Sequence, residues 1–130
     1  MSVNLPQKDL SLNLQEHGIC FVVPSGAIVT GEFDLPGGAL IQGRLTGRIF
    51  CRTGSLIVTR GGEFCGQADA DRVYIEGRVF PASDGRMSTI KGRRLVAISE
   101  MAEGSADLYA QAFAIHTYSF SASFTTLERS

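Results

Sequence analysis

Apolar and small residues recur at every second position through most of the chain. Val29-x-Gly31-x-Phe33, Leu45-x-Gly47-x-Ile49, Phe64-x-Gly66-x-Ala68 and Val73-x-Ile75-x-Gly77-x-Val79 each set an apolar or small face against polar neighbours. A period of two is that of a strand with one buried side. Clusters at Pro36-Gly37-Gly38, Thr53-Gly54, Gly61-Gly62 and Asp84-Gly85 interrupt the runs. The pattern therefore predicts strands of about three to five residues, and no 3.6-residue period lasts long enough for a helix. A glycine on the inward face marks a bend or a close backbone approach. Alternation of Gly with Val, Ile or Phe suits a narrow core whose layers interlock.

The pattern also repeats on a larger scale. Val58 to Ile75 recurs without a gap at Ile98 to Ile115, an offset of 40, with Glu63 matching Glu103 and Ala70 matching Ala110. Gly26 to Leu45 fits Gly61 to Val79 at an offset of 35, falling to 34 after one inserted residue. Thr30-Gly31-x-Phe33 returns as Thr46-Gly47-x-Ile49. A sandwich or barrel of antiparallel hairpins has no need of such self-similarity, whereas stacked supersecondary units require it. Halving the offset of 34 predicts turns of about 17 residues, roughly six in all, in a rod on the order of 30 Å long at about 4.8 Å per turn. The segment 81–94 (PASDGRMSTIKGRR) lengthens one repeat and is expected to be a loop or a distorted turn.

The fold class expected is all-β, a single parallel β-helix of roughly six turns. Residues 1–18, polar and interrupted by Pro6, read as a flexible N-terminal tail; residues 19–118 form the β-helix; residues 119–130 are a last strand or a second tail. The hydrophobic fraction of 44% and the charged fraction of 19% argue against disorder of the body. A net charge of −1 supplies no field for nucleic acid. Cys20, Cys51 and Cys65 have neither an even count nor CxxC spacing, and read as small core residues rather than a disulfide or zinc framework. No run approaches the roughly 18 apolar residues of a membrane helix, and the first residues lack the layout of a secretory signal, so cytoplasmic residence is expected.

Enzyme readings find little support. His17 and His116 are the only histidines, short of a three-histidine zinc site. The strict six-residue period of the hexapeptide-repeat enzymes is missing. Asp69 and Asp71 offer a same-face carboxylate pair, but aspartates at a turn are ordinary. GGEFCG lacks the Lys-Ser/Thr sequel of a phosphate-binding loop. Catalytic, cofactor and metal residues are therefore given as none.

Segments such as GAIVTGEF, GRLTGRIF and the Val58–Ile75 unit resemble the bactofilins, bacterial polymer-forming cytoskeletal proteins, over about residues 22–118. The resemblance implies a right-handed β-helix of triangular section. It implies end-to-end polymerisation into nucleotide-free, non-polar filaments that scaffold cell-shape and cell-envelope machinery, often at the inner face of the membrane. A non-polymerising β-helical binding module is the alternative, and a β-helix enzyme the remote one.

The ends of a β-helix carry unpaired backbone groups and an open core, which template further strands. The candidate C-terminal interface is Phe113, Ile115, Tyr118, Phe120 and Phe124, in a region holding five of the eleven aromatic residues from Tyr109 onward. The candidate N-terminal interface is Ile19, Phe21, Val22 and Val23. Joining like ends would be isologous and give filaments without polarity. Ten arginines stand against two lysines. Arg44 and Arg78 follow equivalent glycines, and with Arg48, Arg93 and Arg94 they form a candidate basic stripe for an acidic partner, an anionic membrane surface or a neighbouring filament. The expected partner is the chain itself, with envelope proteins or lipid as further candidates.

Overall fold

The computed structural model describes residues 18–82, 84–117 and 119–128. Ten strands run through them: β1 (Ile19–Val23), β2 (Ile28–Leu35), β3 (Gly38–Ile41), β4 (Arg44–Cys51), β5 (Ser55–Val58), β6 (Glu63–Ile75), β7 (Arg78–Phe80), β8 (Thr89–Ile98), β9 (Glu103–Ile115) and β10 (Phe120–Thr126). Every pairing is parallel, so each strand stacks on its equivalent one turn earlier instead of folding back as a hairpin. The chain is a β-solenoid of about six turns with three faces. β10 continues the stack to Thr126, so the C-terminal segment is a strand rather than a tail.

Stacking in register lines up the inward side chains. On the first face Val23, Ile41, Val58, Ile75, Ile98 and Ile115 form one column, with Phe21, Ala39, Leu56, Val73, Val96 and Phe113 beside it. On the third face Phe33, Ile49, Ala68, Ile90, Leu108 and Phe124 stack in turn. The middle of each column is sealed, Leu56, Val73, Val96, Ile90 and Leu108 all having 0% exposure. Each buried aliphatic side chain contributes roughly 1.5–3 kcal/mol. The offset of 40 seen in the sequence is two turns of the first column, since Ile75 lies between Val58 and Ile98.

Several strands are longer than the pattern predicts, β6 and β9 reaching 13 residues. The chain turns corners without leaving the hydrogen-bonded ladder, and glycine makes this possible. Gly31, Gly47 and Gly66 stack on one another with φ of 153°, 133° and 136°. A Cβ at Gly47 would fall onto the carbonyl oxygen of Gly31, and one at Gly66 onto that of Gly47. Positive φ and close carbonyl approach together demand glycine here.

The irregular segment is spliced into the stack at two points. Residues 81–88 leave the ladder between β7 and β8 and return at Ser88, whose side chain is buried. Its hydroxyl donates to the Phe80 carbonyl and accepts the Gly66 N–H (2.9 Å), while its own carbonyl accepts the Asp107 N–H (2.8 Å). One residue thus bonds the turn below, its own turn and the turn above. Further on, the register slips between Gly92 and Leu95, where Arg93 and Arg94 occupy a corner that one residue fills in each neighbouring turn.

Gly66→Ala is expected to cost about 3 kcal/mol or more, since both φ and the stacked carbonyl oppose a side chain. Gly61→Ala, at φ 87° with nothing within 4 Å of the new Cβ, is expected to cost only about 1 kcal/mol. Urea unfolding of the two variants checks the difference, and equal midpoints would contradict the account.

Candidate functional site

The two ends of the solenoid are where its internal pairing stops. At the N-terminal end β1 pairs only β3 and β2 only β4 among the described residues. At the C-terminal end β10 pairs only β9, and the second half of β9 pairs only β8. The outer edges of these strands carry backbone donors and acceptors with no strand alongside in the described structure. Such an edge is a template for another chain unless it is blunted.

Both ends are also apolar. Phe21, Val29, Phe33 and Leu35 at one end, and Phe113, Ile115, Phe120 and Ala122 at the other, pack on the core but remain partly exposed. Each end holds an aromatic pair across the interior. Phe21 and Phe33 lie 5.2 Å apart with rings tilted by 32°, and Phe113 meets Phe124 edge-on at 5.3 Å. Such a pair adds about 0.5–1.5 kcal/mol beyond the area it buries. Phe124 remains 51% exposed.

The sequence-derived ends need redrawing in part. Ile19 and Phe21 face the interior at the open N-terminal turn, but Val23 is fully buried and Val22 points out from the side of the rod. Alternation along β1 separates two neighbours that the apolar run had grouped. Val29, Phe33 and Leu35, read as part of the body, belong to the same first turn as β1. At the other end Phe113, Ile115, Phe120 and Phe124 gather around the open core. Tyr118 lies outside the described residues, as does His17.

The arginines do not form one basic stripe. Arg44, Glu63, Arg78 and Glu103 stack in register on the second face, so charge alternates turn by turn. Arg44 and Arg78 both reach Glu63 (3.4 and 3.7 Å), and Arg78 also reaches Glu103 (3.7 Å). The Arg78 guanidinium lies 4.8 Å from the Phe80 ring centre. Exposed pairs like these stabilise by about 0–1 kcal/mol each. Like charges stacked directly at these positions would instead be destabilising. Arg48 lies on the third face, in register between Glu32 and Gln67. Arg94 sits at the slipped corner against Asp71 (3.3 Å).

Arg93, at the same corner, has a structural task. Its Nη1 donates to Asp69 (2.7 Å), and its Nη2 donates to the carbonyls of Cys51 (2.9 Å) and Arg52 (2.8 Å). The extra residue at the corner lets one guanidinium tie three successive turns together. A fork of fixed geometry suits this, where an ammonium would not. Asp69 and Asp71, the carboxylate pair of interest for catalysis, are thus each engaged by an arginine. A groove of about 650 Å³ crosses the third face past Asp34, Arg48, Asp69 and Lys91. Its Asp34 is held by Nε and Nη2 of Arg52 (3.1 and 3.2 Å), which draw that carboxyl below the usual carboxylate range. Among the described residues no three His, Cys, Asp or Glu side chains come together as a metal site. Burial pushes the Cys51 thiol up to about 12, a poor nucleophile at neutral pH. No helix of the described residues is long and apolar enough to cross a membrane.

The family model described as "Bactofilin: Polymer-forming cytoskeletal" matches residues 21–123. No curated protein and no solved structure matches the chain.

Arg93→Lys is expected to lower stability by about 1–3 kcal/mol, because two carbonyls and Asp69 lose charge-assisted partners. Urea unfolding reads the loss, and an unchanged midpoint would show that the clamp contributes nothing. In the folded chain at pH 8, Cys51 is expected to resist iodoacetamide until urea exposes it, as peptide mapping by mass spectrometry can follow; labelling of Cys51 before unfolding would contradict its burial.

Proposed function

The chain belongs to the bactofilin family of polymer-forming cytoskeletal proteins, and from that membership we propose that it self-assembles end to end into filaments that need no nucleotide. The observation that carries the reading is the pair of open terminal turns. Each combines a parallel edge with no strand alongside among the described residues and an aromatic pair, Phe21 with Phe33 and Phe113 with Phe124. Stacking another solenoid there would bury the exposed aromatic surface and pair the free backbone groups in one step. On the second face the charge ladder alternates in sign, so that face offers no single-sign field to attract a partner.

The two ends differ in shape, and each is proposed to join its own kind. Phe33 stands beside Phe21 at a shallow tilt, whereas Phe124 meets Phe113 edge-on. Joining like to like is isologous, and alternation of the two junctions gives a filament without polarity. A cytoplasmic scaffold for cell-shape or cell-envelope machinery, at the inner face of the membrane, follows as the proposed role from the family resemblance.

Negative-stain electron microscopy and sedimentation velocity test the proposal. The unsubstituted chain is expected to form filaments. Phe124→Arg places a charge in the C-terminal junction and is expected to stop growth at dimers joined through their N-terminal ends. Phe33→Arg is expected to give the converse dimer, and the double variant a monomer, with circular dichroism confirming that the β-solenoid persists. An unsubstituted chain that stays monomeric at high concentration, or filaments unaffected by Phe124→Arg, would overturn the reading.

A further inference from the structure

The corner between the first and second faces is notched. In the first, third and fifth turns it is four residues long, at 24–27, 59–62 and 99–102. Each of these is closed by a hydrogen bond from its last N–H to its first carbonyl, at 3.0, 2.8 and 3.1 Å. In the second and fourth turns the corner has only two residues, Gln42-Gly43 and Glu76-Gly77. Gly43 lies against the carbonyls of Pro24 and Ala27, and Gly77 against those of Thr59 and Gly62, leaving no room for a Cβ. The long corners begin at offsets of 59 − 24 = 35 and 99 − 59 = 40, which are offsets of the sequence repeat. Two turns, not one, are therefore the repeating unit.

The tips of the long corners stand clear of the rod. Nothing lies within 4 Å of a Cβ at Gly26 or Gly61, and Arg60, Glu100 and Met101 are exposed. Successive tips are about 9.6 Å apart, two strand spacings, so the gap between them admits one backbone. The second-turn notch holds a space of about 330 Å³, lined by Gly26, Ile28, Gln42, Arg44, Gly61 and Glu63. Glu63 there is held between Arg44 and Arg78 (3.4 and 3.7 Å). Ile28 at the notch is 74% exposed, and Met101 at the fifth-turn tip 46%.

We propose that this corner is a lateral interface for a second, antiparallel copy, each copy's tips entering the other's notches. Charge selects the register. With the third-turn tip in the other copy's fourth-turn notch, Arg60 fronts Glu76. The fifth-turn tip then enters the second-turn notch, where Glu100 fronts Arg44 and Met101 covers Ile28. The two-fold axis makes each contact twice. A shift by two turns in one direction sets Arg60 against Arg44, and in the other Glu100 against Glu76. A parallel neighbour staggered by one turn meets both clashes. Arg60 and Glu76 also have interactions within their own chain, so they contribute the sign of the charge rather than a new bond. Like charges exclude wrong registers more than the right pairs add affinity. The covered Ile28 and Met101 supply the apolar part of the contact.

The contact does not depend on the end-to-end reading, and both ends are blocked in the test. The full chain carries Phe33→Arg and Phe124→Arg, Cys20→Ser to remove an exposed thiol, and Ile28→Cys with Met101→Cys. Within one chain the two new thiols lie four turns apart, about 19 Å, too far for an internal disulfide. Single corners meet transiently, since a stable interface needs roughly 1,200 Å², so covalent capture is the readout. Oxidation by dioxygen with copper–phenanthroline is expected to give a covalent dimer bridged between residues 28 and 101, as peptide mass spectrometry identifies. Adding Glu100→Arg is expected to lower the yield about tenfold. Met87→Cys in place of Met101→Cys is expected to give no bridge to residue 28. Circular dichroism confirms the fold of each variant. Absence of a dimer, bridges of 28 to 28 or 101 to 101 in place of 28 to 101, or a yield unmoved by Glu100→Arg would overturn the proposal. Chains that still polymerise with both ends blocked contradict the end-to-end reading instead, and the bridge between 28 and 101 still decides the lateral contact.

Discussion

The carbonyl of one turn lies where a side chain of the next would begin, and the rest of the molecule follows from that close approach. Gly47 over Gly31 and Gly66 over Gly47 keep the parallel ladder unbroken around a corner. An unbroken ladder keeps the turns in register, and register turns an alternating sequence into continuous columns such as Val58, Ile75, Ile98 and Ile115. The same spacing brings Arg44, Glu63, Arg78 and Glu103 into a ladder of alternating charge. Its inner turns satisfy one another, whereas among the described residues the first and last turns have a strand on one side only.

The insertion shows how strict that register is. Residues 81–88 leave the ladder, and the chain rejoins it only where Ser88 reproduces the hydrogen bonds that a regular strand would have made. The slip after Gly92 is likewise offset by Arg93, which reaches down to the carbonyls of Cys51 and Arg52. Both devices restore backbone pairing with a side chain. An unmade backbone bond in a buried position would cost about 1–3 kcal/mol, so the irregular segment persists because its ends are satisfied.

Much of the fold was legible in the sequence because the solenoid writes its geometry as periodicity. Alternation marked the inward positions, and the match of Glu63 to Glu103 reported a true column two turns apart. Register between unequal turns was not legible. Arg44 and Arg78 do share a column, but Glu63 sits between them at spacings of 19 and 15 residues, so a ladder of alternating sign resembled a basic stripe. Val22 and Val23 resembled one apolar patch because Val22 is a hydrophobic residue at a solvent-facing position. Phe33 escaped notice as an end residue because its unit looked like every later one. Only the pairing of β1 with β3 and of β2 with β4 shows that both belong to the first turn. Ser88 reaches Gly66, 22 positions away, and Arg93 reaches Cys51, 42 positions away, and neither contact left a local signal.

The family membership and the open ends lead to the same physical claim, that the axis of the solenoid is the axis of assembly. X-ray fibre diffraction from aligned filaments tests it most directly. The account predicts a meridional reflection near 4.8 Å, from strands stacked along the filament, together with an axial rise of about 29 Å per chain. A 4.8 Å reflection lying on the equator, or filaments whose axial rise matches the width of the solenoid rather than its length, would contradict it.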